Sequence, residues 1–338
     1  MPESEDILSR DVVIAAKLEE NGIALRTQSR AVAALDRLVG SLFDIPAAFS
    51  EGVARKKHFR DSVNERILLK QAEIAERKLS GIPDAGDALL FDILKDAGRK
   101  QTNAAGVAIE AIDTLKLPPP DATSTGPSEE PDVEIDCDWM NQFVRYAEDA
   151  STEQLQQLWG RVLAGEMRRV GSFSRQTLRF IAELDRETAE NCEYAAERAV
   201  DDFIPKTKEW NGGEGLIIGL DLQRLGLVEG VGGLGPQRTF KLDHLGQLLL
   251  EHRQKALLVS GKPGTEIQQE IILLTRTGKE VFALLAPKSA VVGLRAVAET
   301  AEKKDGVTKV ELGFHVKASA VEGRFSTEQT LWEAPEAA

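Results

Sequence analysis

Cysteine is scarce in this 338-residue chain, with Cys137 and Cys192 its two thiols. Two thiols cannot build a disulfide framework, and so low a number suits a reducing compartment. Long apolar runs are missing too. Strings such as Leu216–Leu220 (LIIGL) fall far short of the roughly 18 residues that a membrane span needs. The first residues, MPESEDILSRD, lack the basic end and apolar stretch of a secretory signal. The expectation is therefore a cytoplasmic protein with no membrane span. Aromatic residues are only 5% of the chain, while Ala, Leu, Glu and Arg recur at helical spacings. That balance predicts a mainly α protein.

Recognisable chemistry is lacking as well. His58, His244, His252 and His315 are widely separated, and none sits in an HExxH or beside a cysteine pair of zinc spacing. No metal site and no cofactor is expected. No GxSxG or cysteine-nucleophile motif is visible, so no catalytic residue is assigned. Acidic pairs one helical turn apart, such as Glu187 and Glu190, read as a solvated face.

Positive charge is in deficit. With 42 Lys and Arg against 55 Asp and Glu, the formal charge of −13 opposes general attraction to nucleic acid or anionic lipid. The charge is unevenly spread. Val53 to Lys78 holds eight basic and four acidic residues, whereas Lys116 to Glu153 holds ten acidic and two basic. Arg55, Lys56, Lys57 and Arg60, in the string ARKKHFRDS, form the candidate basic patch, although a solvated helix face explains the same residues.

Leu117 to Glu134 combines five prolines with Ser, Thr and carboxylates, a composition that cannot form a packed element. It divides the expected layout: an N-terminal helical domain over 1–116, a flexible acidic Pro-rich linker over 117–134, a helical core over 135–211, and a winged-helix-like α+β region over 212–338. In the first, Val32, Leu35, Val39, Leu42 and Phe43 mark one helix, and a second spans about Val53 to Leu79. Leu89, Leu90, Ile93, Leu94 and Ala97 mark a third, and Val107, Ala108, Ala111 and Ile112 a fourth. Together they predict a bundle or long hairpin. After the linker, Trp139, Met140, Phe143, Val144 and Ala147 form another apolar stripe, and Ser151 with Gln154 reads as a capping box. Asp185 is an expected N-cap for a helix reaching about Phe203.

Beyond Gly212 short β-prone strings appear. LGLVE reads as a helix end entering a strand, RTFKL and KALLVS as strands, LLTRTGKEVFALL as a helix capped by Thr275, and Val310 to Val316 as a half-buried strand. GVGGLG, at Gly230–Gly235, formally matches the dinucleotide pattern GxGxxG. However, Pro236 and RTFKL stand where its helix should begin, so a glycine hairpin or wing tip is expected. SGKPGTE has Pro263 where a phosphate loop needs Ser or Thr, and reads as a turn.

The densest string is STEQLQQLWGRVLAGEMRRVGSFSRQTL, from Ser151 to Leu178. It encodes a capped amphipathic helix, a Gly-Ser turn and a second helix. Its core would comprise Leu155, Leu158, Trp159, Gly160, Val162, Leu163 and Gly165, with the glycines allowing close approach by another backbone. Glu166, Arg168 and Arg169, at the helix end, are the candidate recognition residues. The string resembles a bacterial family known only as domain of unknown function 2806, which shares LQxLWGxxLAGE followed by GSFSxxTL. The matching residues are Leu155, Gln156, Leu158, Trp159, Gly160, Leu163 to Glu166, Gly171 to Ser174, Thr177 and Leu178. Val170 departs, standing where the family pattern has proline. A looser likeness covers RLVGSLFDIPAAFSEGVARKK. The LQ-LW segment is also similar to one in Abi-alpha abortive-infection proteins, which implies phage defence. The family supplies no catalytic residues.

Three functions follow as expectations. The first is a noncatalytic interaction or sensing protein in antiphage or stress defence, acting on a protein partner or as a homo-oligomer, with the N-terminal helices as its partner surface. The second is a winged-helix nucleic-acid-binding regulator, disfavoured by the net charge. The third is a hydrolase whose site is assembled from residues distant in sequence.

Overall fold

The computed structural model describes residues 30–31, 33–35, 37–38, 69, 85–116, 134–233, 235–253, 255–285, 291–317 and 323–334. Arg55, Lys56, Lys57, Arg60 and the Pro-rich segment up to residue 133 lie outside them, as does nearly all of the helix expected over Val53 to Leu79. The chain falls into two compact units that divide between Ala182 and Glu183.

The first unit is helical: α1 (Ala85–Lys116), α2 (Cys137–Glu148), α3 (Glu153–Arg168) and α4 (Arg175–Ala182). The two short helices expected within 89–112 are one continuous helix of 32 residues. Its intervening residues include no proline, and Gly98 and Gly106 cost helix propensity without breaking the hydrogen-bond ladder. Ala104, Val107, Ala108, Ala111 and Leu115 form its buried stripe, which packs against α2 and α3. Asp136 caps α2 by accepting the Trp139 N–H at 2.8 Å. The cap of α3 is Thr152, whose hydroxyl accepts the Leu155 N–H, whereas Ser151 and Gln154 stay exposed. The expected capping box is therefore absent, and the helix starts one residue later.

The second unit carries α5 (Arg186–Arg198), β1 (Phe203–Pro205), a 3-10 turn (Lys208–Asn211), α6 (Gly213–Arg224), β2 (Val228–Glu229), β3 (Gln237–Lys241), β4 (Gln247–His252), β5 (Lys255–Gly261), β6 (Glu266–Leu274), α7 (Arg276–Leu284), α8 (Val292–Ala301), β7 (Val307–Lys317) and β8 (Gly323–Glu333). Asp185 and Thr275 cap α5 and α7 as their sequences predict, but α5 ends at Arg198 instead of reaching about Phe203, which opens β1. Two four-stranded antiparallel sheets result. One has the order β1-β6-β2 with β3 also on β6, and the other is β4-β5-β7-β8. Phe203, Phe240, Leu257, Ile271, Leu294, Val297 and Val310 belong to one apolar core that draws on both sheets and α8. The mainly α expectation is thus overturned: the fold is α+β, and β6, β7 and β8, at 9, 11 and 11 residues, are not short strands.

The glycine segment also differs from a hairpin. Glu229 pairs with Leu273 and Gln237 with Glu270, both antiparallel to β6. The Ile271 N–H donates to Pro236 O, and the Thr275 N–H to Leu227 O, along the same edge of β6. β2 and β3 therefore run in one direction along that edge, so the chain does not reverse between them. Gly230, Gly232 and Gly233 take positive φ, and Lys206 donates to Gly233 O at 2.8 Å.

Candidate functional site

Glu166 closes the turn that follows α3. Its side chain is 2% exposed, and its two oxygens accept the N–H groups of Gly171 at 2.6 Å and Phe173 at 3.1 Å. The folded-back Phe173 ring packs on Gly165, where a Cβ would lie 2.5 Å from Cε2. Phe173 O accepts the Trp139 indole N–H at 2.7 Å, and Ser174 caps α4 by accepting the Thr177 N–H. Arg168 donates to Thr114 O at 2.7 Å, engaging the end of α1. Of the three candidate recognition residues only Arg169 is exposed, and the carboxylate of Glu166 is turned to its own backbone.

Trp159, Gly160, Val162 and Leu163 are buried, while Leu155, Leu158 and Gly165 are half-buried. Trp159 stacks on Tyr146 at 5.5 Å and meets Phe143 edge-on at 5.6 Å. Gly160 lies against Glu110 and the Ala111 backbone of α1. The string flagged in the sequence is thus the packing centre of the first unit.

In the second unit α6 has two contrasting faces. Inward, Gly219 packs on Val231 and the Trp210 ring, and Ile218 and Leu222 are buried. Trp210 lies edge-on to Tyr194, whose ring carries the Arg198 guanidinium 3.5 Å from its centroid. Outward, Ile217 is 63% exposed, Leu220 46%, and Leu225, just past the helix end, 40%. Glu214, Asp221 and Arg224 border these side chains, and Arg224 reaches Asp221 at 3.2 Å. The LIIGL string holds apolar residues on more than one helical face, which is the signal that one such face must point outward.

A cavity of about 130 Å³ lies between α5, the β4–β5 turn and α7. Ala196, Leu274 and Phe282 give it an apolar lining, and Asp201, His252, Arg253 and Lys279 a polar one. His252 is buried, and its Nδ1 accepts the Asp201 N–H at 3.2 Å. Its Nε2 is also buried, with no hydrogen-bond partner among the described residues. Asp201 and Arg253 are the two non-glycine residues with positive φ among the described residues. Arg253 is held in that conformation by donating to Phe282 O and Leu285 O at the end of α7. Nearby, Asp202 pairs with Arg238 at 2.8 Å and Lys279 at 3.6 Å. Partial burial pushes the Asp202 carboxyl up, but hydrogen bonding and attraction from the two cations outweigh it and hold the group below its ordinary range. Among the described residues no three His, Cys, Asp or Glu side chains form a group that could hold a metal ion. No helix among them is long and apolar enough to cross a membrane.

His252 is one of four dispersed histidines in the sequence, and no motif marks α6. Its cavity partners are scattered from Ala196 to Ala283, so spacing carries no signal for them.

Residues 96–203 match the model of a family described as "Protein of unknown function (DUF2806)". The match bears out the resemblance carried by LQQLWGRVLAGE, and spans α2, α3, α4 and α5 with most of α1. No curated protein and no solved structure matches the chain, and the Abi-alpha likeness finds no support in the comparisons.

Proposed function

We propose that this is a noncatalytic interaction protein that meets a protein partner through the outward face of α6. The observation that carries this reading is the apolar surface of Ile217, Leu220 and Leu225 on a helix whose other face is firmly packed. Side chains of this kind gain by leaving water, at roughly 25 cal/mol per Å² of apolar surface buried. An apolar strip bordered by charge is the make-up of a protein-docking patch. Ile217→Glu tests it. The substitution lies on solvent-exposed helix, so the melting temperature should hold within a degree or two while partner binding or the cellular phenotype is lost. A variant with full phenotype would overturn the reading.

A nucleic-acid regulator of winged-helix type is the second reading. It draws on the order α5, β1, α6, β2 and β6, with β6 lying between β1 and β2 in the sheet. In that arrangement α6 would be the reading helix, yet its outward face offers Arg224 alone against Glu214 and Asp221. Phosphate contact requires the opposite balance. Submicromolar binding to random duplex at physiological salt would favour the regulator. The Abi-alpha likeness read from sequence extends the interaction reading to antiphage or stress defence, and phage plating on cells with and without the protein tests that extension.

A further inference from the structure

We propose that the cavity between α5, the β4–β5 turn and α7 binds a small monocarboxylate that carries a short apolar chain. No residue of α6 lines it, so the proposal stands apart from the docking face. The first observation is room. A volume of about 130 Å³, at roughly 10–15 Å³ for each water-sized group, limits the occupant to about ten non-hydrogen atoms. The second is an unmet hydrogen bond. His252 lines the cavity and is 8% exposed, its Nδ1 accepts the Asp201 N–H, and its Nε2 has no partner among the described residues. The bond at Nδ1 tethers the ring to the chain, and a polar atom brought in beside it would satisfy the second nitrogen.

The third observation is the character of the walls. Lys279 and Arg253 bring positive charge to the lining, and Asp201 brings a carboxylate whose side chain is 70% exposed. Lys279 has charge to spare. Its ion-pair partner Asp202, at 3.6 Å, is bonded more closely by Arg238 at 2.8 Å, so two cations share one carboxylate. Arg253 is held in place by donating to Phe282 O and Leu285 O. A metal ion or an amine would meet these cations with like charge. A bare inorganic anion would leave the apolar wall of Ala196, Leu274 and Phe282 without a partner. A carboxylate on a short apolar chain answers both, with oxygens for His252 and Lys279 and a chain to cover Phe282.

Equilibrium dialysis of radiolabelled butyrate against the full chain, from about 0.1 to 10 mM and so around a millimolar constant, tests the proposal. Butyrate should bind saturably at one site per chain. 1-Butanol and inorganic phosphate should each displace it only at concentrations about tenfold higher, the worth of a charge-assisted bond or of the buried chain, and n-butylamine should not compete. Absence of saturable binding overturns the proposal. So does equal displacement by 1-butanol, which would mean that the charge is not read, or by phosphate, which would mean that the apolar wall is not used. Lys279→Met removes a charge from a half-exposed side chain while Asp202 keeps Arg238, so it should weaken butyrate about tenfold, and Lys279→Arg should restore it. A change at buried His252 risks the fold, so the steric test is Ala283→Trp. Ala283 is exposed on α7 and lines the cavity, and an indole there should block butyrate with an unchanged circular dichroism spectrum. Binding that survives either Lys279→Met or Ala283→Trp in folded protein places butyrate elsewhere and overturns the proposal. Ile217→Glu, the test of the α6 face, should leave butyrate binding unchanged, so each reading fails or stands by itself.

Discussion

Glu166 is conspicuous in sequence, and the structure shows what its carboxylate touches. Placed at a helix end beside Arg168 and Arg169, it reads as a recognition group, for which loss of charge would leave stability nearly unchanged. The structure gives it a different use, because both oxygens accept backbone N–H groups of the turn it closes. Glu166→Gln keeps the shape but has one carbonyl oxygen in place of two acceptors, leaving a donor in a buried turn without its charge-assisted bond. An unsatisfied buried donor costs about 1–3 kcal/mol. The expected outcome is a melting temperature several degrees lower, seen in a thermal scan of the purified variant. An unchanged melt would show that these two bonds do not hold the turn. Sequence spacing could not decide this, since the geometry depends on how Gly171, with φ of 82°, brings Phe173 back toward α3.

Helices were more legible than strands, for a physical reason. Caps are local chemistry, so Asp185 and Thr275 could be read directly from their sequences. β6 is central in its sheet, with Ile267, Ile271 and Ile272 all buried, which blurs the alternation that marks a half-buried strand. Among the described residues β8 pairs with β7 alone, and its exposed run from Ser326 to Thr330 has no apolar alternation to detect. Gly160 lies on the legible side, because a glycine inside an amphipathic helix signals close approach. Gly160→Ala should raise helix propensity by about 1 kcal/mol if the site were open. Here the added methyl would meet Glu110 Cβ and lie 2.9 Å from Ala111 N. Overpacking of this kind costs about 1–3 kcal/mol, so the variant should melt lower than wild type. A higher melting temperature would show that α1 does not lie against α3.

At the scale of the whole molecule, composition conveyed the charge balance but not which segments lie together. The Pro-rich stretch reads as a divider, yet helices on its two sides interlock. Asn103 of α1 donates to Glu148 O at the end of α2, Arg168 of α3 donates to Thr114 O of α1, and the buried α1 stripe from Ala104 to Leu115 packs on α2 and α3. A cut between α1 and α2 would remove the covalent link while leaving these contacts in place. The test is a specific protease site inserted between Thr123 and Ser124, cleaved to completion under native conditions. If α1 is held by packing, the two fragments should co-elute in gel filtration at the volume of the intact chain and part only in denaturant. The buried apolar stripe sets this expectation, because separation would expose it to water at roughly 25 cal/mol per Å². Trp159→Ala in the same background should release the fragments, since loss of a buried tryptophan costs about 3–5 kcal/mol and the ring holds Phe143 and Tyr146 beside α3. Wild-type fragments that separate without denaturant would mean that the residues before the Pro-rich segment fold apart from those after it, and the helical assembly of the first unit would have to be redrawn.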